Sequence, residues 1–121
     1  MSAAVPIAIV VGGFLSAGVL SKAGLKRLSS ENRAAVVGTF AWERRANLVA
    51  IAVFVVLLVM NAAVACAIVV NYFLLATAWA TYKLLHLPNV APARAALIGG
   101  HLCLLVSLIC ATAVAVANGL G

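Results

Sequence analysis

The placement of charge constrains this chain more than any other feature. All Lys, Arg and Glu side chains fall within residues 22–45 and residues 83–94. Residues 1–21, 46–82 and 95–121 carry no charge and are rich in Ala, Val, Leu and Ile. A membrane-spanning helix needs about 20 predominantly apolar residues at a rise of about 1.5 Å each. Each uncharged stretch can therefore hold a span, and the sequence predicts an all-α integral membrane protein.

Composition excludes an ordinary soluble domain. The chain is 67% hydrophobic and only 8% charged, whereas roughly a quarter of the residues of a soluble domain are charged. Its formal net charge of +6 could indicate nucleic acid as a partner. However, the cations flank apolar stretches and no soluble module presents them. We therefore expect them to face the anionic headgroups of a lipid bilayer, with no nucleic-acid partner.

The middle uncharged stretch determines the predicted number of spans. Residues 46–82 would form one helix about 55 Å long, which exceeds a hydrocarbon core of about 30 Å. Cytoplasmic loops are enriched in Lys and Arg. Two crossings of this stretch place both basic regions on one face, whereas a single crossing separates them. The sequence thus favours a bundle of four transmembrane helices; the alternative is three spans with one long, kinked middle helix.

In the four-helix prediction the whole chain is one transmembrane domain, and the topology of that domain follows from the number of crossings. The turn inside the middle stretch is expected near Asn61, and a short helix over residues 31–40 is expected in the first loop. An even number of crossings places both termini on the same side of the membrane. Because the basic loops are expected to be cytoplasmic, this is the non-cytoplasmic side. The predicted spans are residues 5–20, 46–60, 63–82 and 95–118, with basic cytoplasmic loops at residues 21–45 and 83–94.

Small residues recur four positions apart within the predicted spans. Lipid gives helices little hydrophobic reason to associate, so close packing of small side chains must supply much of the attraction. Gly13 with Ala17, and Ala96 with Gly100, would each form a flat strip on one helix face. Four short helices bury little surface by themselves. We therefore expect association with other membrane subunits or with copies of the same chain.

Few side chains in the predicted spans can carry chemistry. Glu31 and Glu43 both lie in the first loop, which disfavours an ion-coupled transporter or rotor-ring subunit. His86 and His101 are candidate ligands for haem or chlorophyll, because a neutral imidazole can bind the central metal ion of such a cofactor. The alternative is an interfacial His86 and a His101 that hydrogen-bonds a neighbouring helix. No nucleophile motif or Cys/His metal spacing occurs, so neither catalytic residues nor a metal site is predicted.

One stretch resembles a known family. Residues 40–47 (FAWERRAN) and the later prolines near Arg94 are similar to the membrane-associated proteins in eicosanoid and glutathione metabolism (MAPEG). In that family the second helix opens with a Glu-Arg pair, followed by Arg-Ala and Asn. The family's third-helix arginine is missing here, because Ala78 and Ala80 occupy that region. The resemblance implies a trimer of four-helix bundles that binds glutathione through Glu43, Arg44, Asn47, Tyr82 and Arg94.

Three functions fit these observations, and enzymatic activity stays open. The first is a small multi-pass subunit that packs structurally in a larger or homo-oligomeric membrane complex, such as a respiratory or photosynthetic one. The second is a divergent MAPEG-like, glutathione-binding membrane enzyme. The third is a passive pore, which has only Asn47, Asn61 and Asn71 to support it.

Overall fold

Helices account for almost all of the computed structural model, which describes residues 4–60, 62–87 and 90–117. Within these ranges the chain is all-α, as predicted, and contains no strand. Asn61, where the turn of the middle stretch is predicted, lies outside the described residues. The five helices are α1 (Ala4–Leu25), α2 (Ser30–Thr39), α3 (Ala41–Val59), α4 (Ala63–His86) and α5 (Ala91–Ala117).

Side chains of the first loop fix the turn between α1 and α2. The Ser29 hydroxyl accepts a hydrogen bond from the backbone N–H of Asn32 at 3.2 Å and so caps the start of α2. The guanidinium of Arg33 donates to the carbonyls of Leu25, the last residue of α1, and of Leu28 in the turn that follows, and so ties α2 to the end of α1. The short helix expected in this loop is confirmed.

The middle uncharged stretch forms two antiparallel helices. α3 ends at Val59 and α4 begins at Ala63. The carboxylate of Glu43, at the start of α3, forms an ion pair with the ammonium of Lys83, near the end of α4. All Lys, Arg and Glu side chains consequently gather at one end of the bundle, called here the charged end. This is the arrangement expected if the middle stretch turns back on itself.

α1 and α5 pack closely and antiparallel through small residues. A Cβ atom added at Gly13 would lie 1.9 Å from the Oγ of Ser107, and one added at Gly100 would lie 3.1 Å from the carbonyl oxygen of Ala17. Neither site has room for a larger side chain. The two small-residue strips expected on α1 and α5 therefore face each other and bring these helix backbones together.

Two apolar clusters hold the helices in place. The larger one lies toward the uncharged end, and its members come from α1, α3, α4 and α5; they include Val10, Phe54, Leu58, Phe73 and Leu108. The smaller one seats α2 and the loops at the charged end; it comprises Leu28, Val36, Leu84, Val90, Ala93 and Leu97. All four long helices thus share one core.

Three helices are long and apolar enough to cross a membrane: Ala4–Leu25, Val64–His86 and Ala91–Ala117. α3 differs because its first five residues include Glu43, Arg44 and Arg45. Its remaining apolar part, residues 46–59, spans only about 21 Å, which is shorter than a hydrocarbon core of about 30 Å. The chain is therefore a helical multi-pass membrane protein with three candidate spans in its described part.

Candidate functional site

A groove lies between α1 and α3 toward the charged end. At the uncharged end both helices belong to the same core, through Val10 of α1 and Phe54 of α3. Nearer the charged end they line a groove of about 660 Å³, to which α2, α4 and α5 also contribute. Small-molecule sites commonly occupy about 300–1,000 Å³. The groove is therefore large enough for a small ligand.

Most of the groove lining is apolar. Phe14 of α1, Ile51 of α3 and Leu104 of α5 contribute large hydrophobic side chains, and Leu48 and Leu75 add to them. Such a surface accommodates a chain or ring system without polar groups, because a polar group buried there without a hydrogen-bond partner would cost free energy.

The polar lining of the groove is concentrated on α3. Glu43 and Asn47 are one turn apart and share a helix face, and Arg44 lies between them in sequence. The Oδ1 atom of Asn47 accepts a hydrogen bond of 3.2 Å from the hydroxyl of Tyr72 on α4. Three of the five residues that the MAPEG resemblance implies therefore line the groove.

Arg44 is the cation that the groove leaves available. Arg94 donates hydrogen bonds of 2.8 and 2.9 Å to the carbonyls of Leu84 and Leu87, and so caps the end of α4 rather than lining the groove. Among the described residues the guanidinium of Arg44 has no such partner and is exposed. Arg44 can therefore bind an anion without breaking a contact within the protein.

Glu43 is neutralised within the protein. Its carboxylate pairs with Lys83, and the side chains of these two residues are only 27% and 23% exposed. The hydrogen bond from the Lys83 ammonium outweighs the opposing effect of burial and holds the pKa of the Glu43 carboxyl below its ordinary value. Glu43 and Lys83 together add no net charge at neutral pH, so Arg44 gives the rim of the groove one positive charge.

The two candidate histidines have different surroundings. His101 lines the groove, and its ring lies 6.5 Å from that of Phe40. His86 lies outside the groove, with Nδ1 2.8 Å from the carbonyl oxygen of Tyr82. The described part of the chain contains no group of three His, Cys, Asp or Glu side chains that could hold a metal ion.

Tyr82 also lies outside the groove. Its ring stacks on Trp79 at a centroid distance of 5.8 Å and lies 4.3 Å from the ring of His86. This exposed aromatic row at the charged end suits the headgroup depth of a membrane. Of the seven candidate site residues, the structure thus brings together Glu43, Arg44, Asn47 and His101, and leaves Tyr82, His86 and Arg94 outside.

Sequence reasoning overlooked three residues of this region: Tyr72 and Trp79, which line the groove, and Lys83, which pairs with Glu43. A signal for the pair was present. If α3 and α4 turn back at Asn61, position 43 comes opposite position 79, one helical turn from Lys83. The register of the predicted hairpin, combined with charge complementarity, could therefore have identified the Glu43–Lys83 pair.

No family model matches this chain, and neither does any curated protein or solved structure with which it was compared. The groove and its charges therefore provide the basis on which function can be inferred.

Proposed function

We propose that this chain is a multi-pass membrane protein that binds an amphipathic small molecule with an anionic head in the groove between α1 and α3. The observation that carries the proposal is the unpartnered Arg44 at the rim of a largely apolar groove. A guanidinium binds anionic oxygens with paired, charge-assisted hydrogen bonds. The apolar lining would hold the remainder of the ligand.

The proposal includes α3 as a fourth membrane span. α3 runs antiparallel beside α4, and its Phe54 and Leu58 belong to the core shared with α1 and α5, which favours a common depth in the bilayer. Its apolar part is short, but a bilayer thins locally around short spans, and long arginine side chains reach the headgroups. Four crossings would leave both termini on the non-cytoplasmic side, with the charged end cytoplasmic.

A MAPEG-like, glutathione-binding enzyme is a narrower version of this proposal. Glutathione is an anion, and Glu43, Arg44 and Asn47 of the implied set line the groove. The capping role of Arg94 and the external position of Tyr82 leave fewer groups for such a ligand. An amphipathic anion needs only Arg44 and the apolar lining, so the geometry favours the broader proposal.

A structural subunit is the second candidate function. The outer face of α3 and α4 carries a shallow apolar hollow of about 560 Å³, lined by Trp42, Val49, Val53, Ile68 and Tyr72 among others. A helix from another subunit, or from another copy of the chain, could pack there. Purification in mild detergent as a stable complex with larger subunits would favour this function.

The fluorescence of Trp79 tests ligand binding directly. The chain has two tryptophans; Trp79 lines the groove and Trp42 lines the outer hollow. In a Trp42→Phe variant in lipid nanodiscs, 11-bromoundecyl sulfate is expected to quench Trp79 saturably. The neutral 11-bromoundecanol should reach the same quenching only at about tenfold higher concentration, because it forms no charge-assisted hydrogen bond with Arg44.

Adjacent arginines provide a matched control. Arg44→Gln is expected to abolish the preference for the sulfate over the alcohol. Arg45→Gln removes the same charge from the neighbouring position, but Arg45 lines the outer hollow, so the preference should persist. Quenching that rises without saturation for both probes would exclude ligand binding in the groove, and equal effects of the two substitutions would exclude Arg44 as the residue that binds the anionic head.

A further inference from the structure

Lys83 contacts several residues of the groove without lining it. Its ammonium pairs with Glu43 and lies 5.3 Å from the ring centroids of both Phe40 and Trp79. These three partners all line the groove, and they belong to the start of α3 and to α4. We infer that Lys83 is a positioning residue that fixes the rim of the groove and thereby sets its affinity for an anionic head. This inference rests on the proposed ligand-binding function.

The start of α3 depends on this lysine because it has no side-chain cap. Phe40 occupies the N-cap position, and no side chain there accepts a hydrogen bond from the first turn. Polar caps commonly hold that turn in other helices. Here Lys83 binds the residue before the helix, Phe40, and also Glu43 within its first turn. Arg44 follows Glu43 directly, so the same contacts restrain the position of its backbone.

Lys83 also determines the charge that a ligand meets. Glu43 and Arg44 line the same groove, and the ion pair with Lys83 offsets the carboxylate. Without Lys83, the carboxylate of Glu43 would stand uncompensated beside Arg44 and would repel an anionic head. Loss of the lysine should therefore weaken anion binding through both position and charge.

The contribution of charge can be separated from that of position. In the Trp42→Phe background, Lys83→Met is expected to weaken saturable binding of 11-bromoundecyl sulfate about tenfold, from loss of the ion pair and both cation–π contacts. Lys83→Arg should retain the affinity that Lys83→Met loses, because arginine keeps the positive charge. Adding Glu43→Gln to Lys83→Met should recover part of the affinity by removing the repelling carboxylate. Lys26→Met removes a cation elsewhere at the charged end and should leave binding unchanged.

The outcomes separate this inference from the function on which it rests. If neither the sulfate nor the alcohol binds saturably to the parent protein, the proposed function fails and the inference fails with it. If the parent binds the sulfate and Lys83→Met binds it equally well, only the inference is overturned. Lys83→Gln, which keeps a hydrogen-bond donor for Glu43 but loses the charge, replaces Lys83→Met if that variant does not fold. The same loss and the same rescue by arginine are then expected, and unchanged binding would overturn the inference.

Discussion

Arg44 and Arg94 carry the same side chain but use it differently. Arg94 is committed to the carbonyls of Leu84 and Leu87, and its removal would leave these acceptors without their charged donors. We expect Arg94→Met to lower the free energy of unfolding by about 1–3 kcal/mol and to leave probe binding in the groove nearly unchanged. Arg44→Gln should show the reverse pattern. Thermal unfolding in detergent and Trp79 quenching measure the two effects; lost binding with unchanged stability in Arg94→Met would place Arg94 in the site.

The Glu43 carboxyl should make stability depend on acidic pH. Because its pKa is lower in the folded protein, the unfolded chain takes up a proton first as the pH falls. The stabilisation is complete above the unfolded pKa of about 4.3 and is lost as the pH falls through the folded pKa. Glu43→Gln should reduce stability at neutral pH by about 0.5–1 kcal/mol, as for a partly exposed ion pair, and flatten the dependence below pH about 5.

Thermal unfolding measured at several pH values, in a detergent without titratable groups, tests this prediction. Glu31→Gln is the matched control, because the described structure gives Glu31 no ion pair. If Glu31→Gln and Glu43→Gln flattened the pH dependence of stability equally, the role assigned to the Glu43–Lys83 pair would be contradicted.

The role of a single cation could not be read from the sequence. Arg33, Arg44 and Arg94 all lie in the two basic loops, and the rule that basic residues face the cytoplasm treats them alike. Whether a guanidinium caps a helix or stays free depends on which carbonyl groups the tertiary fold places within about 3 Å of it. Local sequence does not contain that information.

At the scale of helices, the contact between α1 and α5 depends on particular glycines. A methyl group at Gly13 would lie 1.9 Å from the Oγ of Ser107, whereas one at Gly12 would meet nothing within 4 Å. Gly13→Ala is therefore expected to destabilise the bundle by about 1–3 kcal/mol through overpacking. Gly12→Ala should be neutral or slightly stabilising, because alanine favours helix more than glycine does.

Unfolding of the two single variants under the same detergent conditions compares these adjacent positions. If both destabilise the protein equally, a general cost of losing glycine, rather than the α1–α5 contact, would account for the result. Ser107→Ala combined with Gly13→Ala should recover part of the loss, because it removes the Oγ atom that the new methyl group would meet.

The helices themselves were largely predictable, but their partners were not. The spacing of Gly13 with Ala17 and of Ala96 with Gly100 indicated faces suited to close approach, and those faces meet. The same spacing occurs at other positions in this alanine-rich chain, so it could not specify which helices pair. The helices also extend beyond the predicted spans: α3 begins at Ala41 and α4 ends at His86. Charged residues at the membrane surface are compatible with helix, so the limit of charge-free sequence does not mark the helix end.

At the scale of the whole molecule, the charge pattern predicted which helix ends lie together. It did not predict the groove. Two basic stretches on one face require α3 and α4 to be antiparallel, and the Glu43–Lys83 pair shows that they are. The groove lies between α1 and α3 toward the charged end, and α2, α4 and α5 complete its lining. These five helices are spread along the whole chain, and no periodicity in the chain specifies how they are placed around a groove.

The number of crossings leads to the sharpest test of the whole molecule. With Cys66, Cys103 and Cys110 replaced by alanine, single cysteines at Ser30, Met60 and His86 report on successive connections. Four crossings require Ser30 and His86 to react with a membrane-impermeant maleimide from the same side, and Met60 from the opposite side. Three crossings, by α1, α4 and α5 alone, would instead place Met60 with Ser30 and leave His86 opposite. We expect the pattern of four crossings, because α3 shares a core with three apolar spans. The pattern of three crossings would mean that α3 lies outside the bilayer, together with the wall of the groove that carries Arg44.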